Sequence, residues 1–214
     1  MLEPDARSLV VRVWLPDRPG ALGQVASRIG AVRGDVTAID ILERSAGRVV
    51  DELTVSLPGS SSVDLLAAEV GAVDGVSIEH IRTVEGVRTD VATDVLQIAV
   101  EVVEASGGAW VAALCDGVRR MADAEWAVAV HDGSVAHRSG QAPDEGWLLA
   151  FLGGAEHLDG GSSTNGPVDV LWAGLPRHQI TIAAGRSQRP VHERERTRLC
   201  LLARVVDSCR SGEV

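Results

Sequence analysis

Six residues, Asp17-Arg18-Pro19-Gly20-Ala21-Leu22, join an apolar strand to an amphipathic helix and constrain what the first part of this chain can fold into. Ahead of the turn, Leu9, Val11, Val13 and Leu15 fall on one face of a strand, and Val10, Arg12 and Trp14 on the other. After it, Leu22, Val25, Ile29 and Val32 recur at spacings of 3, 4 and 3, the stripe of a helix buried on one side. Pro19 suits a helix start, because it has no N–H to lose and its φ is fixed. Asp17 is an acceptor for the open N–H groups of that first turn. Gly20 has no Cβ, so another molecule can approach the backbone closely. A helix start with open amides is a seat for a carboxylate.

The pattern continues in short elements. Gly34 is expected to end the first helix as a C′ glycine. A second strand over 36–43 and a third over 49–57 flank the turn Ser45-Ala46-Gly47-Arg48 and form a hairpin. Pro58 to Ser62 break the pattern, and a second helix then buries Val63, Leu66, Val70 and Val73. Gly75 closes it, and a fourth strand covers 76–84. The order is β-α-β-β-α-β, the split βαβ of ferredoxin-like folds. With both helices on one face of the sheet, the other face and the edges are expected to need cover, which favours pairing with a second copy.

Residues 9–85 resemble an ACT domain, a small regulatory module that binds amino acids. The resemblance rests on the D-R-P-G-A-L turn after an apolar strand, the first helix closed by Gly34, and the strand Val36-Thr37-Ala38-Ile39-Asp40-Ile41. It implies a ligand held between two protomers. Asp17, Arg18, Pro19, Gly20, Ala21 and Leu22 would form one wall, and Ile39, Asp40 and Ile41 of another copy the opposing strand. The chemistry is coherent for a zwitterion. Amides at Gly20 to Leu22 serve a carboxylate; Asp17, Asp40 or strand carbonyls serve an ammonium. The helix dipole supplies about 0.3–2 kcal/mol to a bound carboxylate, whereas micromolar affinity needs about 8 kcal/mol. The ligand's side chain must therefore be buried as well.

Residues 87–214 read as a second domain, the first spanning 1–86. One helix carries Val91, Val95, Ile98, Val102 and Ala105, a near-heptad stripe fit for a core or a helix–helix seam. A further helix covers 109–122. Strands on either side of Asp132-Gly133-Ser134 make a hairpin, a helix over 144–158 follows, and a polar loop spans 160–167. Strands over 168–175 and 179–185 form a second hairpin around Pro176-Arg177-His178. The last helix, 191–209, buries Leu199, Leu202, Val206 and Cys209 and sets Arg194, Glu195 and Arg198 on its opposite, solvated face. Ile180-Thr181-Ile182-Ala183-Ala184-Gly185-Arg186, followed by a helix opening with His192-Glu193-Arg194-Glu195, resembles the end of a GAF domain. That implies a sensory or dimerisation module with an antiparallel sheet and flanking helices. No ligand residues carry over. The expected fold class is α+β throughout.

Composition narrows the function classes. A net charge of −10 disfavours nucleic acid, whose phosphates need clustered positive charge. All 20 basic residues are arginine, so Schiff-base lysines and a Walker-A loop are excluded. There is no G-x-S-x-G elbow for a hydrolase. His131 and His137 bracket a hairpin turn without a third ligand for zinc. Cys115, Cys200 and Cys209 lack metal spacing and read as small apolar residues. The first residues have neither the basic start nor the apolar core of a signal peptide, and no apolar run reaches membrane-spanning length, so a cytoplasmic location is expected. The reading is a non-enzymatic regulatory protein, a homodimer or higher homo-oligomer, with an amino acid as ligand, no metal or cofactor, no nucleic-acid or membrane partner, and output through an unidentified protein partner. The alternative is an assembly scaffold with no small-molecule ligand.

Overall fold

The computed structural model describes residues 6–84, 90–155, 169–187 and 189–210. The chain divides into two units after Asp90.

In the first unit, β1 (Arg7–Pro16), α1 (Ala21–Ala31), β2 (Asp35–Ser45), β3 (Arg48–Leu57), α2 (Val63–Gly71) and β4 (Ser77–Val84) follow one another. The antiparallel sheet has the order β2-β3-β1-β4, so β2 and β4 are its edges. Alternation decides the faces. Leu9, Val11, Val13 and Leu15 of β1 join Val49, Leu53, Val55 and Leu57 of β3 in a core with Val25 and Ile29 of α1 and Leu66 and Val70 of α2. The β2–β3 hairpin turns on Ala46 (φ 50°) and Gly47 (φ 74°), both left-handed, which matches the strands' twist.

Two expectations change here. The left-handed residue after α1 is Arg33 (φ 64°), not Gly34. Gly34 matters for space instead: a Cβ there would lie 2.8 Å from Ile29 Cγ2. The sheet face opposite the helices is also not left open at its centre. Val10 and Val50 are fully buried, and Arg12 and Glu52 nearly so. Arg12 donates through Nε (3.1 Å) and Nη2 (2.6 Å) to Glu52 Oε2. Trp14 Nε1 donates to Glu79 Oε1 (2.9 Å). Charges can be buried on that face because they are paired across strands.

The second unit holds α3 (Val91–Glu104), α4 (Ala109–Met121), β5 (Trp126–His131), β6 (Ser134–Gly140), α5 (Glu145–Ala155), β7 (Val170–Leu175), β8 (Ile180–Gly185) and α6 (Glu193–Cys209). Its antiparallel sheet runs β6-β5-β8-β7, two hairpins joined through their inner strands. One face, rich in alanine (Ala127, Ala129, Ala173, Ala184), lets α3, α4 and α6 pack closely. The other carries Trp126, Val128 and Trp172 against Leu148 and Leu152 of α5. The loop over 160–167 and the connection over 86–89 lie outside the described residues. Among the described residues the architecture is α+β, with two four-stranded antiparallel sheets and six α-helices.

Glu195 departs from the sequence reading, which put it on a solvated face. It is buried, and Arg186 Nη1 and Nη2 donate to its two carboxylate oxygens at 2.9 and 2.8 Å. Arg186 also donates to the carbonyls of Ala122 (2.5 Å) and Pro190 (2.6 Å). The His192 N–H donates to Glu195 Oε2 (2.9 Å), half of a capping box at the start of α6. One buried pair therefore ties the end of α4, the end of β8 and the start of α6 together. Cys115 is buried, and burial followed by the neighbouring Asp116 pushes its thiol up to about 12, which makes it inert.

Candidate functional site

The site begins at the first turn of α1. Gly20 is its N-cap at φ 86°, a left-handed conformation that suits glycine, and no side chain caps the helix. The start of α2 is different: Ser62 Oγ accepts from the Asp64 N–H (3.1 Å). Asp17 does not cap α1, as its place in the sequence suggests. Its Oδ1 accepts instead from Arg44 Nη1 on β2 (2.8 Å), and its own N–H donates to the Gly47 carbonyl (2.9 Å). The Ala21 N–H makes a long bond to the Arg18 carbonyl (3.3 Å), and the helical ladder begins with Gln24 N–H to the Gly20 carbonyl (3.0 Å). The N–H groups of Gly20, Leu22 and Gly23 have no partner among the described residues. Beyond its own chain neighbours, no atom of the described residues lies within 4 Å of where a Gly20 Cβ would stand.

The nine predicted site residues divide by exposure. Asp17, Arg18, Pro19 and Gly20 are exposed; Ala21 is buried and Leu22 packs partly against the core. The last two can therefore offer backbone rather than side chain. Ile39 is exposed on the edge strand β2, and Asp40 and Ile41 are half-buried. Arg18 Nη2 reaches Gln24 Oε1 at 3.4 Å. The turn and β2, expected to meet between copies, already meet within one copy through the Asp17–Arg44 ion pair.

The residue that sequence reasoning missed is Asp51. It lies on β3 opposite Val13 of β1 and Ile41 of β2. Directly opposed residues share a sheet face, and Val13 faces the helices. Asp51 therefore stands at the position of that face between Val49 and Leu53. It is 2 % exposed, and its Oδ1 is buried without a hydrogen-bond partner. Burial raises its carboxyl above the ordinary range; Arg44 pulls it down, and Asp17 and Asp40 push it up further. The signal was in the alternation: Val49, Asp51, Leu53, Val55 and Leu57 form one face with a single acid among four apolar residues. Arg44 carried no comparable signal, since an arginine near the end of an edge strand is ordinary.

His131 and His137 do not face one another across their hairpin; His131 is opposite Ser134 and His137 opposite Ala129. No group of three or more His, Cys, Asp or Glu among the described residues is arranged to hold a metal ion. No helix among them is long and apolar enough to cross a membrane.

No protein-family model matches the chain, and no curated protein matches it. Among solved structures, the C-terminal domain of the MgtC protein from Mycobacterium tuberculosis aligns at 14% identity over 42% of this chain and 100% of that one, with a TM-score of 0.34. An unknown protein from Galdieria sulphuraria aligns at 14% identity over 84% of this chain and 80% of that one, also with a TM-score of 0.34. Likeness at this level carries no argument about fold family or function.

Proposed function

We propose that this chain is a non-enzymatic regulatory protein whose first unit, an ACT-like domain, binds an amino acid at the start of α1. The second unit, GAF-like, would extend or relay the assembly. The observation that carries the reading is the uncapped N-terminus of α1. Three N–H groups there lack partners among the described residues, and a glycine opens the approach to them. Such a terminus favours a carboxylate. The edge strand β2, with Ile39 exposed, supports the closure of the site by a second copy. A ligand at 100 times its Kd stabilises the folded protein by about 2.7 kcal/mol, so a thermal-shift screen reads it. At millimolar concentration, at least one of the twenty amino acids is expected to raise the melting temperature, with a few nucleotides as controls. No response from any amino acid overturns the reading.

A second reading, an assembly scaffold without a ligand, draws on a different observation. Neighbouring helices α3 and α6 each expose an apolar pair one turn apart, Leu96 with Val100 and Leu201 with Val205. A concentration-independent oligomer in light scattering, together with silence in the ligand screen, favours this reading over the first.

A further inference from the structure

We infer that the second unit pairs with a second copy of this chain through the outer face of α3 and α6, with α3 of each copy lying on α6 of the other. The pairing goes beyond the amino-acid reading of the first unit and does not depend on it.

The two helices place an apolar patch on that face. α3 turns Val95, Ile98 and Val102 to the core of the second unit and leaves Leu96 and Val100 exposed. A helix apolar on both sides is ordinarily covered on both. α6 repeats the arrangement, with Leu199, Leu202 and Val206 buried and Leu201 and Val205 exposed. α3 and α6 pack against each other, and Arg210 at the end of α6 donates to the carbonyls of Val103 (3.0 Å) and Ala105 (2.6 Å) at the end of α3. The helices therefore run side by side in the same sense. Leu96 and Leu201 each stand nine residues before the tied Ala105 and Arg210, and Val100 and Val205 each stand five before them. Equal rise per residue puts each pair at about the same height, so the four form one patch. The other exposed large apolar residues among the described ones, Ile39, Leu65 and Trp147, lie on three different elements. Single exposed apolar residues are ordinary, whereas a contiguous group marks a surface made to be covered.

Charge identifies the occupant. α3 has the acids Asp94, Glu101 and Glu104 and no basic residue. On α6, Glu195 and Asp207 are buried, which leaves its solvent side mainly to arginine: Arg194 and Arg204 are exposed and Arg198 half-exposed, with Glu193 the exposed acid at its start. Glu101 accepts from Arg120 (2.7 Å) in an exposed pair, the weak kind. Glu104 and Arg204 have no ion pair among the described residues. The patch is thus flanked by acid on one helix and by arginine on the other, which makes the face complementary to itself. Two copies related by a two-fold axis can bring it together in two ways. With the axis across the helices, α3 lies on α3 and α6 on α6, and like charges meet. With the axis along them, α3 lies on α6 twice, and acid meets arginine each time. The second arrangement is the one that charge selects. Leu96 then meets the partner's Leu201, Val100 the partner's Val205, and Glu101 stands near the height of the partner's Arg204.

Sedimentation velocity of the full chain over a range of concentrations tests this. The wild type is expected to self-associate, with a mass at least twice 22.5 kDa. Leu201→Glu or Leu96→Glu, on either helix of the face, should weaken the association by about tenfold or more. Both positions are exposed, so circular dichroism and the melting temperature of the variants should stay near wild type. Leu65→Glu on α2, as exposed as Leu201, is the control and should leave the mass unchanged. Arg204→Glu should also weaken association, and Glu101→Arg on the same chain should recover part of the loss. A monomeric wild type overturns the inference, as does undiminished association in both leucine variants or an equal loss in Leu65→Glu. Arg204→Glu without effect, or without recovery by Glu101→Arg, overturns the α3-on-α6 arrangement. None of these results touches the amino-acid reading, which the ligand screen decides.

Discussion

Asp51 and Arg186 are both charged groups buried in a small α+β unit, and they differ in what they lack. Arg186 is matched by Glu195 and by backbone carbonyls; Asp51 Oδ1 has no hydrogen-bond partner among the described residues. Removing one partner of a buried pair leaves the other charge stranded, so Arg186→Ala is expected to cost about 3–5 kcal/mol in denaturant unfolding. The double change Arg186→Met with Glu195→Leu should cost less than either truncation, because no charge is left behind. Asp51→Asn has the opposite expected sign and should raise the stability of the ligand-free protein at neutral pH. Because its folded-state carboxyl is raised, the protonated form is favoured in the folded protein. The associated stability is fully present below about pH 4, the unfolded value, and is lost as pH rises through the folded one. The gain of Asp51→Asn over wild type should therefore grow from acid towards neutral pH in paired melting curves, with Arg44, Asp17 and Asp40 the charges that modulate it. A flat difference between pH 3 and 7 would count against a raised carboxyl.

At the scale of elements, α1 and α2 show how a helix start is closed or left open. Ser62 closes α2, whereas Asp17, which has the chemistry to cap α1, is drawn away by Arg44. Gly20 holds the left-handed turn that α1 needs. Gly20→Ala should cost about 1–2 kcal/mol from backbone strain alone, since no atom blocks the new methyl. Gly133→Ala, in the turn between β5 and β6, meets the same conditions at φ 72° and open space, and should cost about the same. Only the Gly20 variant should also weaken amino-acid binding, because Gly20 stands at the proposed site and Gly133 does not. Equal binding by the two variants would separate the turn from the ligand.

At the scale of the molecule, each unit has apolar cores of its own. The core around α1 and α2 draws only on residues before Asp90, and the two cores of the second sheet only on residues after it. A domain with its own core can fold alone. Expressed separately, residues 1–90 and 91–214 should each give a cooperative thermal transition and dispersed amide resonances. Loss of structure in either piece would show that the two depend on one another for stability.

Local sequence determined the elements and their order: alternation gave the strands, 3-4 spacing the helices, and Ala46-Gly47 and Asp132-Gly133 the hairpin turns, because these signals act between near neighbours. The site was legible in its backbone, through Pro19 and Gly20, and not in its charges. Which acid caps a helix, which is paired and which is stranded depends on residues far apart in the chain. Asp17 meets Arg44 across 27 residues, Arg12 meets Glu52 across 40, and Asp51 Oδ1 meets no hydrogen-bond partner among the described residues. Sequence spacing reports periodicity within an element, whereas the energy of a charge is set by what the fold brings around it, and only the tertiary structure decided that.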